Sequence, residues 1–293
     1  MPRSRRRHGA RIEVISELDA SHAGFDVTDE RTLRALRDAE DRHFWHLTRN
    51  ELIVERLAAI GVRPGARFVE LGCGGGCVTA YLSRAGYDVV GVDGHRALVE
   101  LASSRAPDAR FWVHDLSRGA GGLPERGFDA AGLFDVIEHL DDPRAALRDA
   151  LDLVRDGGWL VGTVPASMRL WSRVDVQAGH RRRNEPSTLR ADLRSIDVAD
   201  IRIAPFNRVL VPAMMVQRRV VSRLGDRGRI SEANLGVPPW WANRLAAWVL
   251  RAERRLSPVL DRRNLPGASL WFAARKRTNR GEGVPRGGVE PPT

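Results

Sequence analysis

The sequence predicts an α/β fold, a doubly wound and mostly parallel sheet of seven strands with helices on both faces. Three observations carry that expectation. From residue 65 onward, strand-like apolar runs alternate with segments of helical period, the pattern of strand–helix–strand units. The first such run, Arg67 to Leu71, passes straight into the glycine-rich stretch Gly72 to Gly76 and then into a helix-like segment. The length of 293 residues, 43% of them apolar and 29% charged, suffices to bury one large core.

Taken in order, the N-terminal stretch MPRSRRRHGARIEV is basic but lacks the apolar centre of a secretory or twin-arginine signal, which argues against export. Residues 1–28 are expected to be disordered. Residues 29–65 read as an N-terminal helical lid, in which His43, Phe44, Trp45 and Arg49 precede an amphipathic helix. The core, residues 66–206, is expected to place strands at Arg67–Leu71, Asp88–Val92, Arg110–His114, Phe128–Phe134, Trp159–Val164 and Asp200–Ala204. Helices are expected at Cys77–Ala85, His95–Ser104, Pro143–Arg155 and Pro186–Ser195, the third ended by Gly157 and Gly158 in the manner of a C-cap. Residues 207–266 form a helical insertion before the last strand, SLWFAARK, which falls within 267–277. The Gly/Pro-rich tail, 278–293, reads as disordered.

The formal net charge of +10 is unevenly spread. Roughly five arginines fall in the first dozen residues, and a surplus of about thirteen positive charges lies between His180 and Arg277. The region of the glycine turn is acidic. That distribution suits a solvated face better than a nucleic-acid groove, and no nucleic-acid partner is expected. No apolar run approaches the roughly 18 residues that span a bilayer, and the two cysteines, Cys73 and Cys77, sit inside the turn where they make no disulfide framework. A cytoplasmic location is expected.

A dinucleotide fingerprint, G-x-G-x-x-G, would need a glycine where Cys77 stands. The other frame, Glu70-x-Gly72-x-Gly74-x-Gly76, resembles the first motif of class I S-adenosylmethionine-dependent methyltransferases. Glycines there let the backbone pass close beneath the ligand, and the carboxylate can serve the ammonium end of the methionyl group. Asp93 ends the second strand, where a carboxylate can accept both ribose hydroxyls, a feature that NAD enzymes share. Asp115 ends the third strand and matches the methyltransferase position that bonds the adenine amino group, with Leu116 beside the ring. The run Asp135 to Leu140, DVIEHL, is similar to a signature of many small-molecule methyltransferases, and Asp135 is counted with the cofactor residues. The stretch from His43 to Asn50 resembles the H-F-W-x-x-x-R-N segment of a bacterial subgroup associated with glycan or lipid modification. In that subgroup His43, Trp45 and Arg49 would belong to a lid over the cofactor; an aromatic staple for the sheet is the alternative. The likeness continues through GHRRRNEPSTLRADL, with Arg183 or Asn184 near the place of a family tyrosine. It implies a Rossmann-like fold, S-adenosyl-L-methionine as cofactor, and methyl transfer to a small-molecule, lipid-linked or glycan acceptor, on oxygen.

For the acceptor proton, His139 is the first candidate base because it follows the fourth strand at the carboxyl edge, where such sheets bind ligands; His180, after the fifth strand, is the second. Asp135, Glu138 and His139 lack helical H-x-x-H or E-x-x-H spacing, so no metal is expected. Other readings are a noncatalytic Rossmann-like binding or scaffold protein and an NAD-linked oxidoreductase. In the insertion, Trp241, Leu245, Trp248, Ala252 and Leu256 share one helical face bordered by Arg244, Arg251 and Arg255. That stripe either packs over the sheet or another subunit, or lies in a membrane interface, with residues 207–260 making peripheral contact at the inner membrane face.

Overall fold

A computed structural model describes residues 11–18, 29–224, 236–261 and 265–278. Its strands are β1 (Arg11–Val14), β2 (Arg67–Leu71), β3 (Asp88–Asp93), β4 (Arg110–Val113), β5 (Phe128–Phe134), β6 (Val154–Pro165), β7 (Val198–Phe206) and β8 (Ser269–Lys276). They form one sheet in the order β1-β4-β3-β2-β5-β6-β8-β7. Every neighbouring pair is parallel except those of β8, which runs antiparallel to both β6 and β7. The order reverses between β2 and β5, the switch point at which sheets of this kind open a crevice at their carboxyl edge.

The helices are α1 (Glu30–Arg42), α2 (Phe44–Ala59), α3 (Cys77–Arg84), α4 (Arg96–Arg105), α5 (Pro143–Leu153), α6 (Arg173–Gln177), α7 (Pro186–Arg194), α8 (Leu210–Leu224) and α9 (Trp240–Asp261). Leu147, Leu151, Leu189 and Leu193 of α5 and α7 bury against one face of the sheet. Leu52, Ile53 and Leu57 of α2, with Val78 and Leu82 of α3, cover the other. Apolar residues recurring at helical period on each of these helices are what lets both faces of a parallel sheet be covered.

Two expectations change. The sheet has eight strands rather than seven, because Arg11–Val14, expected in a disordered terminus, pairs in parallel with Arg110–Val113 as an edge strand. Four residues are too short to announce a strand; pairing with a buried neighbour supplies what propensity does not. Residues 1–10 and 19–28, and the tail from 279, lie outside the described residues. Second, α5 ends at Leu153 and β6 begins at once with Val154, so Gly157 and Gly158 sit in the strand and do not cap the helix. The register slips between Phe128 and Ala130, where Gly157 takes φ +71°. The glycine pair makes a bulge that lets β6 start early.

A glycine stands inside each of three adjacent strand pairs to admit an aromatic ring. A Cβ on Gly91 would lie 2.8 Å from the Phe111 ring, on Gly132 2.8 Å from the Phe68 ring, and on Gly162 2.5 Å from the Phe272 ring. Phe68, Phe134 and Trp271 then stack in a row, with centroids 6.3 and 6.4 Å apart.

The insertion docks through its polar side. Asn243 of α9 donates to Arg42 O (2.7 Å) and accepts from Phe44 N (2.8 Å), bridging the junction of α1 and α2. Glu51 of α2 receives Arg251 and Arg254, and Glu253 caps the turn at Arg208 and Val209. Ala247, Leu250 and Glu253 are buried, whereas Trp240, Trp241, Leu245, Trp248, Leu256 and Val259 are exposed. The aromatic stripe therefore faces away from the sheet. Among the described residues no helix is long and apolar enough to cross a membrane.

Gly132→Ala should destabilise the fold by about 1–3 kcal/mol, since its methyl would meet the Phe68 and Phe134 rings. Urea unfolding with an unchanged slope measures this; an unmoved midpoint would show that the row of rings yields freely.

Candidate functional site

β2 ends by turning sharply through Gly72, Gly74 and Gly76, whose φ values are +73°, +52° and +78°. Only glycine adopts that region without strain, and here two of the three also lack room for a side chain. A Cβ at Gly72 would lie 2.6 Å from a Val136 methyl, and one at Gly76 would lie 2.5 Å from the Ala102 Cβ; at Gly74 the space is open. The turn therefore presses against β5 and α4 at its ends and presents bare backbone at its middle.

Carboxylates surround it. Asp93, at the end of β3, accepts from Gly74 N (2.9 Å) and His95 N (3.0 Å). Asp115, just beyond β4, accepts from Ser117 N (2.9 Å), and its own N–H donates to the Ser16 hydroxyl (3.0 Å). Leu116 beside it is half-buried. The segment after β1 thus borders the site: Leu18 N donates to Gly94 O (2.8 Å). No motif in the sequence marked Ser16 or Leu18.

Glu70 lies deeper, 2% exposed, with one oxygen receiving the Thr79 hydroxyl of α3. Burial raises its pKa to about 8, against the opposing pull of Thr79 and Arg49. The carboxyl is thus mostly protonated at neutral pH.

Helices α1 and α2 pack over this edge. Arg49 of α2 is buried and donates to Asp135 Oδ2 (2.5 Å), with its guanidinium 4.7 Å from the centroid of the Trp45 ring. Burial alone would lower the Arg49 pKa, but Asp135, Cys77 and Glu40 together outweigh it and raise the pKa above its ordinary value. Asp135 follows β5 with φ +57° and also accepts from the Thr163 hydroxyl (3.1 Å). His43 caps α2 by accepting from Trp45 N (3.1 Å). Arg105 of α4 donates to Gly75 O (2.8 Å) and pairs with Glu40 and Asp41 of α1, tying the lid to the glycine turn. The expected lid residues thus fall on α2 and at its cap; Glu40 and Arg105, which anchor it, carry no motif.

Beyond its end, β5 leads through a single turn, Ile137–His139, and the loop after α6 brings in His180. The His139 and His180 rings meet edge to face, with centroids 4.8 Å apart. Although His139 keeps an exposed edge, desolvation and the neighbouring His180 push its pKa down to about 4, so it is neutral at physiological pH. His180 Nδ1 lies 3.2 Å from Asp175 Oδ1. Asp175 is fully enclosed and also receives Arg183 (2.7 Å) and Ser172 N (2.8 Å); the hydrogen bonds from His180 and Arg183 hold it ionised far below the ordinary carboxylate range despite its desolvation. Arg183, expected near an aromatic position, is thus spent on Asp175 and on Ala166 O (3.0 Å). Glu138 is fully buried, and burial followed by the nearby Asp135 charge holds its pKa well above normal.

A family described as a methyltransferase domain matches residues 40–200. A ubiquinone biosynthesis O-methyltransferase of Azorhizobium caulinodans is 33% identical over 130 residues, 43% of this chain and 47% of that protein. The chain spans about half the length of the curated relatives it matches. Among solved structures, Haemonchus contortus phosphoethanolamine N-methyltransferase 2 in complex with S-adenosyl-L-methionine is similar at a TM-score of 0.51 and 15% identity, over 78% of this chain and 52% of that one. A complex between the Haloferax volcanii Trm112 methyltransferase activator and a methyltransferase is similar at a TM-score of 0.53 and 16% identity, over 89% of this chain and 100% of the matched one. At these identities the likeness is one of fold.

The raised pKa of Glu70 has a stability consequence. Between pH 4.5 and about 8 the folded state keeps a proton that the unfolded chain releases, so this group's contribution is full below pH 4.5 and is lost as pH rises toward 8. Glu70→Gln should therefore gain stability relative to the parent as pH rises from 5 to 8, by on the order of a few kcal/mol. Denaturant titrations across that range measure the difference, and a pH-independent gap would remove the assigned shift.

Proposed function

The chain belongs to the methyltransferase-domain family, and from that membership we propose that it transfers the methyl group of S-adenosylmethionine to a hydroxyl of a small-molecule acceptor. The observation that carries this reading is the open backbone at Gly74 with Glu70, Asp93 and Asp115 ranged along consecutive strand ends around it. Asp93 would take the ribose hydroxyls with its remaining lone pairs, Asp115 the adenine amino group beside Leu116, and Glu70 the methionyl ammonium. Gly72 and Gly76 shape the turn, while Arg49, Trp45 and His43 form the cover that excludes water, with Asp135 held beneath Arg49. The O-methyltransferases among the relatives favour oxygen as the acceptor atom.

The transfer is an in-line displacement. The acceptor oxygen forms a bond to the methyl carbon as the carbon–sulfur bond breaks; the sulfonium becomes a neutral thioether and the hydroxyl proton leaves to a base. His139 and His180 stand where that proton would be received. A neutral His139 ring can accept it, and Asp175 holds the His180 tautomer whose Nε2 keeps its lone pair. Asp93→Ala should weaken S-adenosylmethionine binding by about 2–4 kcal/mol while the protein stays folded, because a charged acceptor of two hydroxyls is lost. Calorimetry decides it, and undiminished affinity would overturn the ribose assignment.

The acceptor is proposed to be lipid-linked or otherwise apolar, in keeping with the glycan- and lipid-modifying subgroup that the HFW segment resembles. Support comes from the outer face of α9, where Trp240, Trp241, Leu245 and Trp248 are all exposed with Arg244 and Arg255 among them. Exposed tryptophan beside arginine suits the interface of an anionic leaflet, where each basic residue contributes on the order of 1 kcal/mol, screened by salt. Flotation should show binding to anionic vesicles at low salt and release at high salt. Absence from anionic vesicles at low salt would remove the membrane reading and leave methyl transfer untouched.

A further inference from the structure

We propose that the cavity between α2, α9 and the turn after β7 is a binding site for a phosphoryl oxyanion, either free phosphate or the phosphate ester of a larger ligand. The cavity holds about 20 Å³ of room for water-sized atoms, and its polar lining is Arg56 of α2, Asn207 and Arg208 of the turn, and Glu253, Arg254 and Ser257 of α9, with Thr48 beside them. A surplus of buried donors is the strongest argument. Asn207 and Arg208 are each 6% exposed, yet Asn207 Nδ2 and Arg208 Nη1 have no hydrogen-bond partner among the described residues. Buried N–H groups left so cost free energy, and an acceptor placed between them recovers it.

The surplus is one of charge as well as of hydrogen bonds. Arg56 makes no ion pair or hydrogen bond among the described residues. Burial holds its pKa below the ordinary arginine value, and the Arg208 guanidinium adds to the fall against the pull of Asp261 and Glu55. Water could accept from Asn207 and Arg208 but would leave that repulsion in place; an anion relieves both. The carboxylates nearby are already committed. Glu253 accepts from Arg208 N (2.8 Å) and Val209 N (3.0 Å), Asp261 pairs with Arg208 Nη2, and Glu51 and Glu55 pair with Arg254. None of them closes on Arg56 or on Arg208 Nη1.

Donors come to the cavity from three elements: Arg56 from α2, Asn207 and Arg208 from the turn, and the Ser257 hydroxyl from α9. Approach from several sides suits the tetrahedral oxygens of a phosphoryl group better than a flat carboxylate, which one guanidinium satisfies edge-on. The enclosed room admits roughly one or two oxygens. The remainder of the group then sits among Arg56, Arg254 and Ser257, which are half-buried around it. The turn holds its donors firmly. Asn207 takes φ +56°, a left-handed conformation that asparagine tolerates better than most residues, and Arg208 Nε donates to Leu265 O (3.2 Å). The guanidinium is thereby fixed with one nitrogen to spare. No lining residue is among those assigned to the cofactor or to the acceptor proton, and the inference does not rest on the methyl-transfer reading.

The test titrates the full chain with inorganic phosphate at low salt by calorimetry, beside glycerophosphate and acetate. The expected result is one equivalent of phosphate per chain, with acetate weaker by about 10-fold or more. Phosphate affinity should fall by about 10-fold in Arg56→Gln, whose guanidinium makes no other bond, and by a similar factor in Asn207→Gly, which keeps the left-handed backbone and removes the amide. Thermal melts accompany both variants. Glycerophosphate binding as tightly as phosphate assigns the site to an esterified ligand, and markedly weaker binding assigns it to the free ion. No saturable phosphate binding to the parent protein, phosphate held no tighter than acetate, or binding undiminished in the Arg56→Gln, Asn207→Gly double variant would overturn the site.

Discussion

The carboxyl edge of the sheet is organised by the left-handed backbone at Gly72, Gly74 and Gly76. A side chain in that conformation costs about 1–2 kcal/mol even where there is room, and at Gly72 and Gly76 there is none. Val136 fills the space left at the first, Ala102 the space left at the last, and Asp93 and Arg105 bond the turn's own polar groups at Gly74 and Gly75. Strand β2, helix α3 and, through Arg105, helix α1 are all positioned from the turn. α3 can start at Cys77 because the turn, ending in left-handed Gly76, reverses the chain there.

Charge is concentrated on that same edge at unusual depth. Glu70, Asp93, Asp115, Glu138, Arg49, Arg105 and Asp175 are each less than a tenth exposed. Buried ion pairs add little net stability, because desolvation offsets their attraction, so the Arg49–Asp135 and Arg105–Glu40 pairs are better understood as devices of position. Each fixes a lid helix against a strand end or the glycine turn, and removal of either partner would leave a charge stranded in a poorly solvated place. The carboxyls divide by their surroundings. Asp175 stays ionised under histidine and arginine, whereas burial drives Glu70 and Glu138 toward the protonated form.

The insertion shows how one helix can serve two environments. The inner face of α9 is fixed by Asn243, Arg251 and Arg254 to α1 and α2, so the three helices pack as one unit. Its outer face carries the tryptophans. Helical spacing placed Trp241, Leu245 and Trp248 on a common face, but a periodic apolar stripe is equally suited to core and to surface. Which it became depends on α2, whose Glu51 draws the arginine side of α9 inward and leaves the aromatic side out.

What the sequence determined by itself are the features that local chemistry enforces. Strand and helix periodicity located β2 to β8 within a few residues, and the glycines at alternate positions announced the turn, because no other residue accepts its dihedrals. Strand-end carboxylates at 93 and 115 were legible for the same reason: they sit at fixed places in a repeating unit. Where pairing partners or distant loops decide, the sequence was silent or misleading. β1 exists only through β4, and Gly157 and Gly158, which locally resemble a helix stop, become a strand bulge when Val154 finds Phe128. Glu40, Arg105 and Asp175 matter through partners at separations of 65, 30 and 8 residues, respectively, and nothing in their neighbourhood signals it. The grouping of Glu138 with His139 and His180 is likewise a product of tertiary folding, since burial and proximity, unlike dihedral preference, are properties that a residue acquires only from what packs against it.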